Sequence, residues 1–165
     1  QRYRNNKALE SAILPEGEDD ALSARVVRLR EDMLEFAEAP REVVIWDENG
    51  KPLKAEDNKR RFFEASWMHK YNGKYYFSYS TGDTHRLCYA IGDNPYGPFT
   101  YQGVILTPVV GWTTHHAIVE YKGKWYLFHH DSVPSGGKTW LRSLKVCELE
   151  YDENGRILTI EGMDD

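Results

Sequence analysis

The chain has 165 residues, about the size of one domain, and its 41% hydrophobic and 13% aromatic content suits a packed core rather than a disordered tail. A formal net charge of −5 and the lack of any basic cluster beyond Lys59-Arg60-Arg61 exclude the electrostatic footprint of a nucleic-acid binder. No apolar run nears the roughly 18 residues that span a bilayer, so no membrane is expected as a partner; the opening stretch "QRYRNNKALES" has no apolar h-region and no initial Met, as expected of a piece of a longer chain.

The first sixty residues are the least regular. "SAILPEGEDD" is a polar, acidic connection with no functional content. "DDALSARVVRLREDMLEFAEA" holds good helix formers and a plausible cap, so local propensity points to a helix. Tertiary context routinely overrides propensity, and "ARVVRL" also fits an outer strand followed by "REVVIWDENGKPL" as a hairpin; the strand reading is preferred.

From residue 61 the chain reads as β-structure. Ser66 to Tyr71 and Lys74 to Ser80 flank Asn72-Gly73, a pair favoured in a two-residue type I′ hairpin because both turn positions need positive φ. "HRLCYAIG" gives a third strand, "DNPYGP" a turn, and "FTYQGVIL" a fourth. The plan then repeats fifty residues on: Tyr121-Lys122-Gly123-Lys124-Trp125-Tyr126 copies Tyr71-Asn72-Gly73-Lys74-Tyr75-Tyr76. Its strands are expected at His115 to Tyr121, Lys124 to His130, Trp140 to Glu150 and around Ile157. Four strands per unit at a period of about 40 to 50 residues is the signature of a β-propeller blade. Residues 1–60 then form the end of a preceding blade and a connection, 61–110 one four-stranded blade, and 111–165 the last. In this alignment Glu64 falls on Thr114, beside His115. Cys88 and Cys147 have no metal-site spacing and read as free core thiols.

"FFEASWMHKYNGKYYFSYS", "NPYGPFTYQGVIL", "THHAIVEYKGKWYLFHHDS" and "LRSLKVCELEYDENGRI" together resemble the C-terminal half of a family 43 glycoside hydrolase, the β-xylosidase and α-L-arabinofuranosidase group. The likeness runs from about Ala24 to Ile160, with four motifs in the family's order. It implies an all-β fold, part of a five-bladed β-propeller: the end of the third blade plus the fourth and fifth. The sugar, a plant-type pentose oligosaccharide or polysaccharide, would bind at one end of the central channel. Extracellular or periplasmic placement is the expectation for that substrate.

The resemblance makes Glu64 the general acid of an inverting pair of carboxyl groups, which stand roughly 6.5 to 9.5 Å apart with water between them. No residue here matches the family's base or its tuning aspartate, so this segment should not turn over substrate alone. It is expected to pack against the remaining blades or another chain. His115 matches a channel histidine that orients water or, through water, a cation such as Ca²⁺ in the central channel; no cofactor is otherwise required. Arg142 matches an arginine reaching the pocket from the last blade. Trp67, Trp112 and Trp140 offer flat faces to a sugar ring. His116, next to His115 on an alternating strand, should face the other way and serve structure, and His129 and His130 read as packing or pocket-rim residues. Two other classes stay open: a sugar-binding propeller without hydrolysis, and a kelch-type interaction scaffold.

Overall fold

The structure is a computed structural model and describes residues 14–112 and 115–162. Ten strands follow in chain order: β1 (Ala24–Val26), β2 (Arg41–Val43), β3 (Ile45–Trp46), β4 (Glu64–Tyr71), β5 (Lys74–Ser80), β6 (Leu87–Gly92), β7 (Phe99–Leu106), β8 (Ala117–Tyr121), β9 (Lys124–Asp131) and β10 (Ser143–Leu149). They make a two-stranded sheet β1-β2, a five-stranded sheet in the order β3-β7-β6-β5-β4, and a three-stranded sheet in the order β10-β9-β8.

The two hairpin turns take the conformation that their residues favour. Asn72 and Gly73 have φ of 45° and 80°, and Lys122 and Gly123 have 52° and 78°. Both turn positions are left-handed, which matches the twist of the flanking strands. Tyr71 thus pairs with Lys74, and Tyr121 with Lys124.

Strict alternation along β5 and β6 gives the five-stranded sheet two apolar faces. Tyr76, Leu87 and Tyr89 point one way, with Leu106, into a cluster shared with Ile118, Leu127 and Leu149 of the three-stranded sheet. Phe77, Tyr79, Cys88 and Ala90 point the other way, with Phe99 and Ile45, against Ala24, Val43 and Leu53. The sheet is therefore the middle layer of three. β4 and β8, one edge strand of each larger sheet, lie side by side, and the Trp67 indole donates across the seam to the Ile118 carbonyl at 3.1 Å. Further bonds join the same layers: Tyr76 Oη to the Gly155 carbonyl at 2.6 Å, the Ile157 amide to Tyr89 Oη at 3.0 Å, and His69 Nε2 with Tyr151 Oη at 2.7 Å.

The preferred strand reading of the helix-prone stretch holds: Ala24–Val26 pairs with Arg41–Val43, because Ala24 and Val43 find an apolar face on the middle sheet that a solvent-exposed helix would not reach. Other expected elements differ. β3 joins the outer edge of the middle sheet, parallel to β7, as a fifth strand. β8 begins at Ala117, so His115 and His116 precede it; β10 begins at Ser143, leaving Trp140 in a turn. Ile157 forms only an isolated bridge with Tyr151. Both cysteines are free.

Leu127 is completely buried in the seam between the two larger sheets, whereas Leu158 is 46% exposed. Leu127→Ala should destabilise the protein by about 2–5 kcal/mol in urea titrations, through lost burial and a residual cavity. Leu158→Ala should stay within about 0.5 kcal/mol. Equal effects of the two substitutions would mean that the seam is not a packed core.

Candidate active site

The chain ends of β5 and β9 and the starts of β4, β8 and β10 gather at the end of the sheets opposite the two hairpin turns. Glu64 opens β4 there, and the His115 imidazole lies 3.7 Å from its carboxylate, Nε2 to Oε1. That separation exceeds a hydrogen bond but leaves the two groups in direct electrostatic contact. Both side chains are partly open to solvent, at 38% and 55% exposure. The backbone beside Glu64 is irregular: the pairing of β4 with β5 shifts register between Glu64 and Trp67, and Ala65 has a φ of 62°.

His115 leads on to the last sheet. Its amide donates to His130 Nε2 at 3.4 Å. Burial, followed by the nearby Arg142 charge, holds the His130 imidazole below its ordinary range, which keeps that nitrogen an acceptor. Arg142 is exposed, with Nε donating to the Thr139 carbonyl at 3.0 Å. Glu64, His115, His130 and Arg142 thus form one sequence of neighbours across two sheets. Of these, His130 was read as a rim or packing residue, and only the register of β9 against β10, which sets it opposite Leu144, reveals its place.

Two loops hold this end together. Asp131 is buried and accepts from Ser143 Oγ at 2.8 Å and the Val133 amide at 3.2 Å, with Lys145 Nζ at 3.4 Å. Burial alone would raise its pKa, but these partners hold the carboxyl below its usual range. Gly111 lies so close to Ser132 that a Cβ there would fall 2.7 Å from Ser132 Oγ, and its φ is 116°. Glycine lets the backbone at Val110 and Gly111 lie against the end of β9, where the Ser132 amide donates to the Val110 carbonyl at 2.7 Å.

The remaining candidates lie outside this group, and His116 and His129 take the structural and packing roles expected of them. Trp67 is committed to the seam: its nitrogen bonds to Ile118 and its ring packs on the core cluster. Trp112, 56% exposed, meets the His85 ring edge-on at 4.3 Å, above the loop that follows β5. Trp140 is 77% exposed. His116 bonds through Nε2 with Ser78 Oγ of β5 at 2.7 Å, a structural partner. His129 is buried against Cys147, Nε2 to Sγ 3.5 Å. Thr114, on which the repeat sets Glu64, lies outside the described residues. A Ca²⁺ ion takes oxygen ligands, which imidazoles do not supply, and among the described residues no three His, Cys, Asp or Glu side chains could hold a metal. A cation reached from His115 only through water would have to draw its ligands from elsewhere.

Residues 16–157 match the family model described as glycosyl hydrolases family 43. A xylosidase/arabinosidase of Bacteroides ovatus is 84% identical over all of this chain and 51% of its own length. A beta-xylosidase of Xylanibacter ruminicola is 73% identical over 98% of this chain and 50% of its own. Among solved structures, RS223 beta-xylosidase superposes with a TM-score of 0.92 at 77% identity, covering 99% of this chain and 51% of that one. CoXyl43, a beta-xylosidase/alpha-arabinofuranosidase from a compost metagenome, was solved with xylotriose in a calcium-free form and gives a TM-score of 0.92 at 54% identity, over 100% of this chain and 51% of that one. The chain spans about half the length of the curated relatives it matches.

Two histidines in the seam make stability depend on pH. Burial pushes His69 down to about 4 and His116 down to about 3, the latter helped by neighbouring His115, His69 and His129. Unfolded histidine titrates near 6.5, so between these values the unfolded chain binds protons that the folded one refuses. Their contribution is fully present above about pH 6.5 and is lost as pH falls toward 4 and then 3. The urea midpoint should therefore drop steadily from pH 7 to pH 4. His116→Gln, which does not titrate and still reaches Ser78, should flatten that slope; an unchanged slope would remove His116 from the account.

Proposed function

The chain belongs to glycosyl hydrolase family 43 and is part of its five-bladed β-propeller, and from that premise we propose that it supplies the general acid of an inverting glycosidase acting on xylosidic or arabinofuranosidic bonds. Residues 1–60 end the third blade, 61–110 form the fourth and 111–165 the fifth. The observation that carries the reading is the approach of Glu64 to His115 at 3.7 Å from two different sheets, at the open end of the seam between them. A carboxylate at this position is not a structural ion pair in a core, since both partners remain partly exposed.

In this reading Glu64 protonates the leaving glycosidic oxygen as the bond to the sugar breaks, and a carboxylate from the rest of the propeller activates the attacking water. Room for that water requires roughly 6.5 to 9.5 Å between the two carboxyl groups. His115 orients water near the sugar, and Arg142, a rigid fork of donors, suits sugar hydroxyls and a carboxylate. Trp112 and Trp140, both largely exposed, are available for stacking on pentose rings. RS223 beta-xylosidase and CoXyl43 carry names that fit a pentose substrate, and the latter was solved with xylotriose. Polymeric pentosans lie outside the cell, so extracellular or periplasmic placement goes with this function.

The remaining blades are the partner. Val119 and Tyr121 of β8 and Leu144 and Val146 of β10 are exposed, and Val119 and Val146 share the face of the three-stranded sheet opposite the seam. An apolar face of this kind calls for cover by a further layer, as another blade would provide.

In the protein carrying all its blades, Glu64→Gln should leave sugar binding nearly intact. It should remove most hydrolysis of an unactivated xylo- or arabino-oligosaccharide, about 10²-fold or more in kcat/KM, and affect a nitrophenyl glycoside much less, because a good leaving group needs little protonation. Equal losses on both substrates would sink Glu64 as the acid. Sugar binding without any hydrolysis in the parent protein would favour a sugar-binding propeller instead.

A further inference from the structure

We propose that Ala65 is the positioning residue for Glu64: its left-handed backbone is the extra residue that turns the carboxylate to the face of the middle sheet that meets His115. The proposal rests on the reading of Glu64 as general acid for its chemical consequence, but its geometry stands on the register of β4.

Glu64 pairs with Ser80 and Trp67 with Ser78, so three steps along β4 oppose two along β5. Residues paired directly across antiparallel strands share a face, and faces alternate along a regular strand. Ser78 and Ser80 are two apart and share the face that meets the three-stranded sheet, where Ser78 bonds to His116 and Trp67 to Ile118. In a regular strand a residue three before Trp67 would take the opposite face. There it would meet the apolar layer built around Phe77 and Tyr79, the wrong place for a carboxyl group without a polar partner. The one-residue bulge returns Glu64 to the side of His115.

The extra residue lies between Glu64 and Trp67, and of the two residues there only Ala65 has a positive φ. Just before Glu64 the chain is pinned: the Phe63 amide donates to the Ser80 carbonyl at 3.0 Å, and the Phe63 ring lies so close over Gly82 that a Cβ there would come within 2.6 Å of Phe63 Cγ. The turn of the backbone is left to Ala65, with φ of 62°. Alanine carries the smallest side chain that has a Cβ. Glycine takes this conformation without strain, while a β-branched residue resists it. Bulges re-aim single side chains beside active sites in this manner.

The test uses the protein with all its blades, an unactivated xylo-oligosaccharide beside a nitrophenyl glycoside, and Glu64→Gln as reference. Ala65→Gly should keep kcat/KM within about threefold on both substrates, whereas Ala65→Val should lose about tenfold or more in kcat on the oligosaccharide, with KM unchanged and the nitrophenyl glycoside within about threefold. Deleting Ala65 should reproduce the Glu64→Gln pattern. If the deletion does not fold, Ala65→Val decides alone, with its melting curve checked against the parent. Equal losses on both substrates in folded Ala65→Val, or a tenfold loss in Ala65→Gly, would overturn the proposal. If Glu64→Gln itself shows equal losses, the acid assignment falls, and a crystal structure of Ala65→Val judges the positioning claim separately: a carboxylate displaced from His115 supports it, and one still beside His115 overturns it.

Discussion

The apolar seam between the middle sheet and the three-stranded sheet is the constraint on which the candidate site depends. Glu64 belongs to one sheet and His115 leads into the other, so their 3.7 Å approach exists only because the layers are locked together. Tyr76, Tyr89 and Leu106 on one side and Ile118, Leu127 and Leu149 on the other supply the driving force by burial. Burial is non-directional and would allow the sheets to slide. The bonds from Trp67 to Ile118, from the Ile157 amide to Tyr89 and between His116 and Ser78 remove that freedom, because any slip would strand buried polar groups. Trp67 matters to the site through this seam, which its indole bond to Ile118 ties together.

Alternation and turn chemistry are local, and so the hairpins were legible before any coordinates. Asn72-Gly73 and Lys122-Gly123 announce their own geometry, and the runs beside them alternate as a half-buried strand must. The repeat of this unit fifty residues on is what makes stacked sheets readable, and the motifs around Glu64 and His115 carried the family. Other features depend on distant partners. The segment around Ala24 looks helical by propensity and becomes a strand because Val43 and the middle sheet need a cover. The parallel pairing of β3 with β7 links residues more than fifty apart and has no local signature.

The bulge at Ala65 was illegible for a sharper reason. Composition shows which residues alternate, but a one-residue insertion is a statement about hydrogen-bond register, and "FFEASW" reads equally well with or without it. His129 and His130 read alike, as packing or pocket-rim residues, since a His-His pair at the end of an aromatic strand gives no hint which ring faces the neighbouring loop. The candidate site residues sit where the regular pattern breaks, at the ends of strands and beside the irregular pairing of β4 with β5.

The central claim is that the end of the seam where Glu64 meets His115 is where a glycosidic bond is broken. The direct measurement is a crystal structure of Glu64→Gln, carrying all its blades, with an unactivated xylo-oligosaccharide bound. The account predicts the scissile glycosidic oxygen within about 3 Å of the side chain at position 64, with the sugar beside His115 and Arg142. A sugar bound at the opposite end, near the Asn72-Gly73 and Lys122-Gly123 turns, or one whose glycosidic oxygen lies beyond reach of position 64, would contradict it.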